Sequence, residues 1–305
     1  IERLTQLREL GFNRISLGVQ DLDPKVQRAV NRVQPLEMTT GLIEAARQLG
    51  FRSINIDLIY GLPHQTEASF RATLDTVLKI RPDRLSVFNY AHLPERFKPQ
   101  RRINAEDLPD APTKLAIHHN SIDQLTQAGY RNIGMDHFAL PDDELAVAQR
   151  QGVLHRNFQG YTTQGEADLV GFGVSAISMI GDAYAQNQKE LKKYYSQVDD
   201  QRHALWKGVS LDSDDLLRRE VIKALICNFS LDKSAIEKQF SITFNDYFAE
   251  DLPLLDTFID DGLVENTAQS ITVNQKARLL IRIICSSFDA YMKKHINQQR
   301  FSRVI

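Results

Sequence analysis

The sequence predicts an α/β protein: part of a (βα) barrel followed by a mostly helical, winged-helix-like C-terminal module. Three observations lead there. Short apolar strands alternate with amphipathic helices up to about residue 140, and each strand ends in polar or glycine residues. No GxGxxG phosphate loop marks an open doubly wound sheet. After about residue 205 the texture changes to helices and one hairpin. The expected domains are therefore 1–204, barrel and pocket segments, and 205–305, the helical module.

The elements follow in order. The opening, Ile1 to Gly11, reads as a helix in progress closed by glycine, with no initiator Met. A fragment of a protein that extends further N-terminally is expected. Arg14 to Gln20 is a strand. Leu36 to Leu49 is helical, with Ile43, Ala46 and Leu49 at helical spacing. Ser53 to Tyr60 is a strand, Thr66 to Ile80 a helix and Arg84 to Tyr90 a strand. A helix from Pro112 to Ala128 and a strand from Arg131 to Met135 complete the alternation. Short connections imply parallel strands joined by right-handed crossovers. In the C-terminal part, helices are expected over Leu211–Asn228, Asp232–Phe240 and Phe244–Asp261. A hairpin at Leu263–Glu265 and Ser270–Val273 precedes a last helix from Gln275 to about Lys294.

Bulk properties exclude several classes of function. Hydrophobic content is 42%, charged content 25% and net charge −2. No general field attracts nucleic acid or an anionic surface, and no apolar run is long enough for a membrane helix. A winged-helix module suggests a DNA-binding regulator, but Glu250, Asp251, Asp256, Asp260, Asp261 and Glu265 would repel phosphates. The tail from Met292 to Arg300 is basic and reads as a solvated end. Only Cys227 and Cys285 are present, each in an apolar helical context. They exclude a cysteine-clustered metal site within these residues and suit buried packing.

Functional candidates gather at the strand ends. Gln20 and Asp21 close the first strand, Tyr60-Gly-Leu-Pro63 follows the second, and Asn89 to His92 follow the third. Asn55 and Asp57 share a face, because strand side chains alternate. A carboxylate there is either paired structurally or faces a polar ligand, and Arg32 is a possible partner or carboxylate clamp. The segment from His155 to Thr163 interleaves polar donors with Phe158 and Tyr161, and Gly171 and Gly173 break the run that follows. Such a segment is either a ligand-facing wall or an ordinary loop. None of the eight histidines shows metal-ligand spacing. His137 and His155 are the two to test for carboxylate contacts. Arg96, Lys98, Arg101, Arg102 and Arg156 are further candidates, with a solvated charge run as the alternative for the cluster from Arg96 to Arg102.

Six segments in order carry a resemblance. They are Ser16-Leu-Gly-Val-Gln-Asp21, Val30-Asn-Arg-Val-Gln34, Asn55-Ile-Asp-Leu-Ile-Tyr-Gly-Leu-Pro63, Phe88-Asn-Tyr-Ala-His-Leu-Pro94, Gly134-Met-Asp-His-Phe-Ala-Leu-Pro141 and Arg156-Asn-Phe-Gln-Gly-Tyr-Thr-Thr163. Together they resemble the oxygen-independent coproporphyrinogen III oxidases of the radical S-adenosylmethionine (SAM) class, enzymes of haem biosynthesis. The related haem chaperones share the Asp-Leu-Ile-Tyr-Gly-Leu-Pro strand. They typically carry Asn-x-x-Tyr-Trp where this chain has Asn157-Phe-Gln-Gly-Tyr-Thr-Thr163, and the one Trp here is Trp206.

The resemblance implies a 4Fe–4S cluster on a Cys-x-x-x-Cys-x-x-Cys motif, and two SAM molecules. A 5′-deoxyadenosyl radical from SAM would drive oxidative decarboxylation of coproporphyrinogen III to protoporphyrinogen IX. Gln20, Arg32, Asp57, Ala91 and Ile177 would contact SAM, and Gln159 would lie by the second SAM or the substrate. Arg32 suits the methionine carboxylate, and Asp57 or Gln20 suits a ribose diol. No residue is assigned as catalytic. The cysteine motif is absent from residues 1–305. The resemblance thus places the iron ligands N-terminal of them, and the fragment alone is expected to be inactive and poorly stable. A flavodoxin-type electron donor, a monomer and a cytoplasmic location complete the expectation.

Overall fold

The computed structural model describes residues 1–165 and 167–295, and the basic tail beyond residue 295 lies outside them. The chain divides into two compact units, Ile1–Val147 and a second that starts at Ala148.

The first unit opens with α1 (Glu2–Glu9), β1 (Arg14–Gln20), α2 (Pro24–Ala29) and α3 (Leu36–Gln48). Then come β2 (Ser53–Tyr60), α4 (Glu67–Ile80), β3 (Arg84–Asn89) and α5 (Ala111–Gln127). The short strands β4 (Arg131–Gly134) and β5 (His137–Ala139) follow, and α6 (Glu144–Arg150) spans the division. The expected elements of this half all form. Their starts are set locally: Asp23 caps α2 with Pro24 in its first turn, and Thr66 and Ser69 form a reciprocal capping box on α4.

The five strands run in the order β1-β2-β3-β5-β4. β1, β2 and β3 are parallel, with Gly18 opposite Asp57 and Asp57 opposite Ser86. The expectation of parallel strands fails at the sheet's other end. β5 is antiparallel to both β3 and β4. Only Met135 and Asp136 separate β4 from β5, too few for a crossover, so the chain must reverse as a hairpin. At three residues, β5 is also too short to display a period in sequence.

The sheet separates its faces by the two-residue period of a strand. Ile54, Ile56 and Leu58 of β2, Leu85 and Val87 of β3 and Phe138 of β5 are buried in one apolar cluster with Ile43, Phe70, Leu74, Val77 and Ile117 of the helices. The alternate positions, Ser16, Asn55, Asp57, Ser86 and His137, form a polar row on the other face. Helices thus cover one face, and the polar face carries the candidate chemistry.

The second unit begins with the hairpin β6 (His155–Asn157) and β7 (Gly160–Thr162). An antiparallel sheet follows, of β8 (Ile177–Ile180), β9 (Ala183–Asn187) and β10 (Leu205–Ser210), with α7 (Leu191–Gln201) between the last two strands. The expected boundary at 204/205 falls inside this sheet, because β10 pairs with β9. The helical part begins after Ser210 with α8 (Ser213–Asn228), β11 (Ser230–Asp232) and α9 (Lys233–Phe240). It continues with α10 (Phe244–Tyr247), α11 (Asp256–Asp260) and the wing, β12 (Val264–Asn266) and β13 (Ser270–Val273). The sheet order β11-β13-β12 completes a winged-helix-like module, closed by α12 (Ile281–Ser286) and α13 (Ala290–His295).

This module departs from the expected pattern at three places. The helix expected over Phe244–Asp261 is broken into α10, a 3-10 turn at Leu252–Leu255 and α11. Pro253 has no N–H to continue the ladder. The last helix is also interrupted. Phe288 turns wholly inward against the Phe248 ring, and its carbonyl accepts from Arg218 Nη1 at 3.0 Å, which ends α12. Finally, Asp251 is no surface acid, since it is 2% exposed and receives Arg218 Nη1 at 2.9 Å.

Candidate functional site

The polar face of β1–β3 organises itself around Asp57. Ser16 Oγ donates to Asp57 Oδ2 at 2.8 Å, and Asn55 Nδ2 donates to Asp57 Oδ1 at 2.7 Å. The Asn55 amide also lies 3.0 Å from Ser16 Oγ and 3.3 Å from Ser86 Oγ. These neutral donors orient a half-buried carboxylate without cancelling its charge. Asp57 is therefore held by side chains and still faces the polar side, so both of its expected roles have a structural basis.

Gln20 and Arg32 meet beside it at Gly18. The β1 register shifts between Gly18 and Gln20, and Gln20 adopts φ +69°, a left-handed conformation uncommon outside glycine. A Cβ on Gly18 would lie 2.7 Å from Gln20 Nε2 and 3.2 Å from Arg32 Nη2. Only glycine lets these two side chains converge there. Arg32 Nη2 donates to Gly18 O at 2.7 Å and Arg32 Nε to Gln34 Oε1 at 3.2 Å. The possible Arg32–Asp57 pairing is thus replaced by a guanidinium fixed on backbone. Gln20 Oε1 is buried and has no hydrogen-bond partner. An unpaired buried acceptor is costly and invites a donor from a ligand.

The other sequence candidates fall out as follows. Ala91 lies just past β3, at the same C-terminal end of the parallel strands as Gln20, and its carbonyl accepts from Gln100 Nε2 at 3.0 Å. His137 takes its place in the polar row and packs edge-on to Phe88 at 5.7 Å. His118 is buried behind Tyr60 at a ring distance of 4.9 Å, and burial pushes its pKa down to about 4. It is a core histidine. Lys98, Arg101 and Arg102 form an exposed turn, as a solvated charge run would.

Gln159 and Ile177 belong to the second unit. Gln159 is exposed at the tip of the β6–β7 hairpin, where its N–H donates to Asn157 Oδ1 at 2.8 Å. Ile177 opens β8. Its carbonyl approaches Gly171 so closely that a Cβ there would lie 2.7 Å away. Asn187 Nδ2 pins the carbonyls of Gly171 and Gly173 at 3.1 and 3.0 Å. These glycines therefore serve close backbone packing and a turn. His155 lies against Gly165, where a side chain would overlap the imidazole at 2.1 Å. Arg156 covers the Tyr161 ring at 5.3 Å.

Five residues that frame these contacts, Ser16, Ser86, Gln27, Gln65 and Thr73, are not among the sequence candidates. Ser16 and Ser86 had a signal, because each sits an even number of strand positions from a polar neighbour. Gln65 and Thr73 had none, since their contacts to Asp21 cross 44 and 52 residues of sequence.

Residues 1–77 match the Radical SAM superfamily, and residues 211–280 match the HemN C-terminal domain. The first match implies SAM and a 4Fe–4S cluster. The first unit fits SAM: Gln20 Oε1 lacks a donor, Arg32 offers a guanidinium and Asp57 a carboxylate, all beside Gly18. The two cysteines do not fit the cluster. Both are buried, and burial pushes both thiols up to about 12, which disfavours the thiolate an iron ligand needs.

Two similar proteins named oxygen-independent coproporphyrinogen III oxidase, from Salmonella typhimurium and Escherichia coli, are each 61% identical over the whole chain and 67% of their own length. One from Pseudomonas aeruginosa is 58% identical over 98% of this chain and 65% of its own. The solved structure of coproporphyrinogen III oxidase (HemN) from Escherichia coli, a radical SAM enzyme, superposes with a TM-score of 0.93. It is 62% identical and matches 95% of this chain and 67% of that one. The chain spans about two thirds of the length of these relatives. With this identity, a shared fold and a polar strand face suited to SAM, the chain belongs to the family of oxygen-independent coproporphyrinogen III oxidases.

Proposed function

We propose that the protein containing this chain converts coproporphyrinogen III to protoporphyrinogen IX by oxygen-independent oxidative decarboxylation. The observation that carries this reading is the convergence at Gly18, where Gln20 offers a buried acceptor and Arg32 a fixed cation beside Asp57. When bound, SAM supplies the hydrogen-abstracting radical. The residues here bind and orient it. Arg32 holds the methionine carboxylate, Gln20 accepts from a SAM donor group, and Asp57, set by Ser16 and Asn55, accepts from a ribose hydroxyl. Ala91 and Ile177 contribute packing or backbone contacts, and Gln159 lies by a second SAM or the substrate. In this reading the cluster's cysteines lie outside residues 1–305. The protein is a cytoplasmic monomer that takes electrons from a flavodoxin-type donor. Among the described residues no helix is long and apolar enough to cross a membrane.

The test is anaerobic. The full-length, cluster-containing protein is mixed with SAM, a reductant and coproporphyrinogen III. Protoporphyrinogen IX is the expected product. SAM cleavage without a product, together with haem binding, would replace this reading with the haem chaperone.

A further inference from the structure

Behind Gln20 lies a buried polar network that the reading above does not use. Asp21 is 1% exposed, Gln65 3%, Thr73 3% and Gln27 5%. The Asp21 carboxylate accepts from the backbone N–H of Asp23 at 2.6 Å, from Thr73 Oγ1 at 3.0 Å and from Gln65 Nε2 at 2.5 Å. Gln65 carries the connection to the loop after β2. Its Oε1 accepts from Leu62 N and its Nε2 donates to Ile59 O, both at 2.9 Å. The Asp21 carbonyl accepts from Gln27 Nε2 at 2.9 Å. Gln27 then closes a pair of bonds with the Gln34 backbone, at 3.0 and 3.1 Å. Gln34 in turn holds Arg32 Nε.

A carboxylate this deep is costly in a core that needs only packing. Desolvation indeed raises its pKa, against the opposing bonds from Asp23, Gln65 and Thr73. What the network accomplishes is geometric. It pins the residue after Gln20, which sits at φ +69° on a bulge, and it reaches Arg32 through Gln27 and Gln34. One hub therefore fixes two of the side chains that converge at Gly18.

We propose that Asp21, clamped by Gln65 and Thr73, is a positioning residue that presets Gln20 and Arg32 for SAM. The inference rests on the reading of Gln20 and Arg32 as SAM contacts. Asp21→Asn places an amide donor among donors. Gln65 cannot turn to accept it without losing its bonds to Leu62 and Ile59.

The test measures SAM affinity by anaerobic calorimetry on the full-length, cluster-containing protein without reductant, so that no turnover occurs, alongside the melting temperature. Asp21→Asn and Gln65→Leu should each weaken SAM about tenfold, and the double variant should be no worse than the weaker single, as expected of one unit. Thr73→Val, which keeps the side-chain shape, should weaken SAM about threefold and serves if Asp21→Asn does not fold. Val77→Ala, in the core behind the sheet, should lower the melting temperature and leave SAM affinity within about twofold. Hub variants that melt earlier but bind SAM with parental affinity would overturn the proposal. Parental affinity in Gln20→Ala and Arg32→Ala would instead remove the site reading, and the inference with it.

Discussion

At the scale of single residues, burial decides what each titratable group can do. Asp57 and His118 illustrate the two outcomes. Asp57 has neutral donors on both oxygens and remains half-buried on the polar face. Ser16→Ala removes one of those donors without touching the charge, so SAM affinity should fall about fivefold, whereas Asp57→Ala should cost more than about tenfold. Titration calorimetry of the holoprotein distinguishes the two. His118 is neutral in its core, with a pKa of about 4 against 6.5 for a free imidazole. The unfolded chain then binds a proton between those values that the folded chain refuses, so stability is lost as pH falls from about 6.5 towards 4. The contribution is about 3 kcal/mol. His118→Phe should flatten that slope in urea unfolding measured between pH 7 and 4.5, and an unchanged slope would rule out this assignment.

At the scale of elements, one lysine ties the wing to its helix. Lys233 is 3% exposed at the first position of α9. Its ammonium donates to Asn245 Oδ1 at 2.9 Å, Asn266 Oδ1 at 2.7 Å and Thr267 O at 2.7 Å. It thereby joins the start of α10 to the wing turn. Lys233→Met removes three charge-assisted bonds to acceptors that are partly buried or exposed and should destabilise the module by about 2 kcal/mol, read as a shift in the chemical-denaturation midpoint. How legible each element was depends on its length and on where its partners lie. β1 and β2 carry enough alternating positions for their limits to follow from pattern alone, and α3, α4 and α5 show clear caps or periodicity. β5, β6 and β7 have three residues each, so no period can develop. The break in the helix expected after Phe244 was visible in Pro253. The break at Phe288 was not, because it depends on Arg218, 70 residues away.

At the scale of the whole chain, the two cysteines give a direct probe of integrity. Both are buried, with thiols near 12. They should resist Ellman's reagent in the folded protein and react at the rate of unfolding, a correspondence that stopped-flow absorbance against a fluorescence trace can check. The sequence by itself determined the alternation of strands and helices, the polar ends of the strands, the absence of a cysteine cluster and the family, because each is written in local pattern or ordered motifs. It also named Gln20, Arg32 and Asp57. The tertiary structure alone decided that Gly18 lets Gln20 and Arg32 converge, that Asp57 is framed by Ser16 and Asn55, and that Asp21 is a buried hub. The convergence at Gly18 depends on the register shift in β1, and the Ser16–Asp57 bond and the Asp21 hub depend on contacts spanning 41 to 52 residues, distances over which hydrophobic periodicity carries no information.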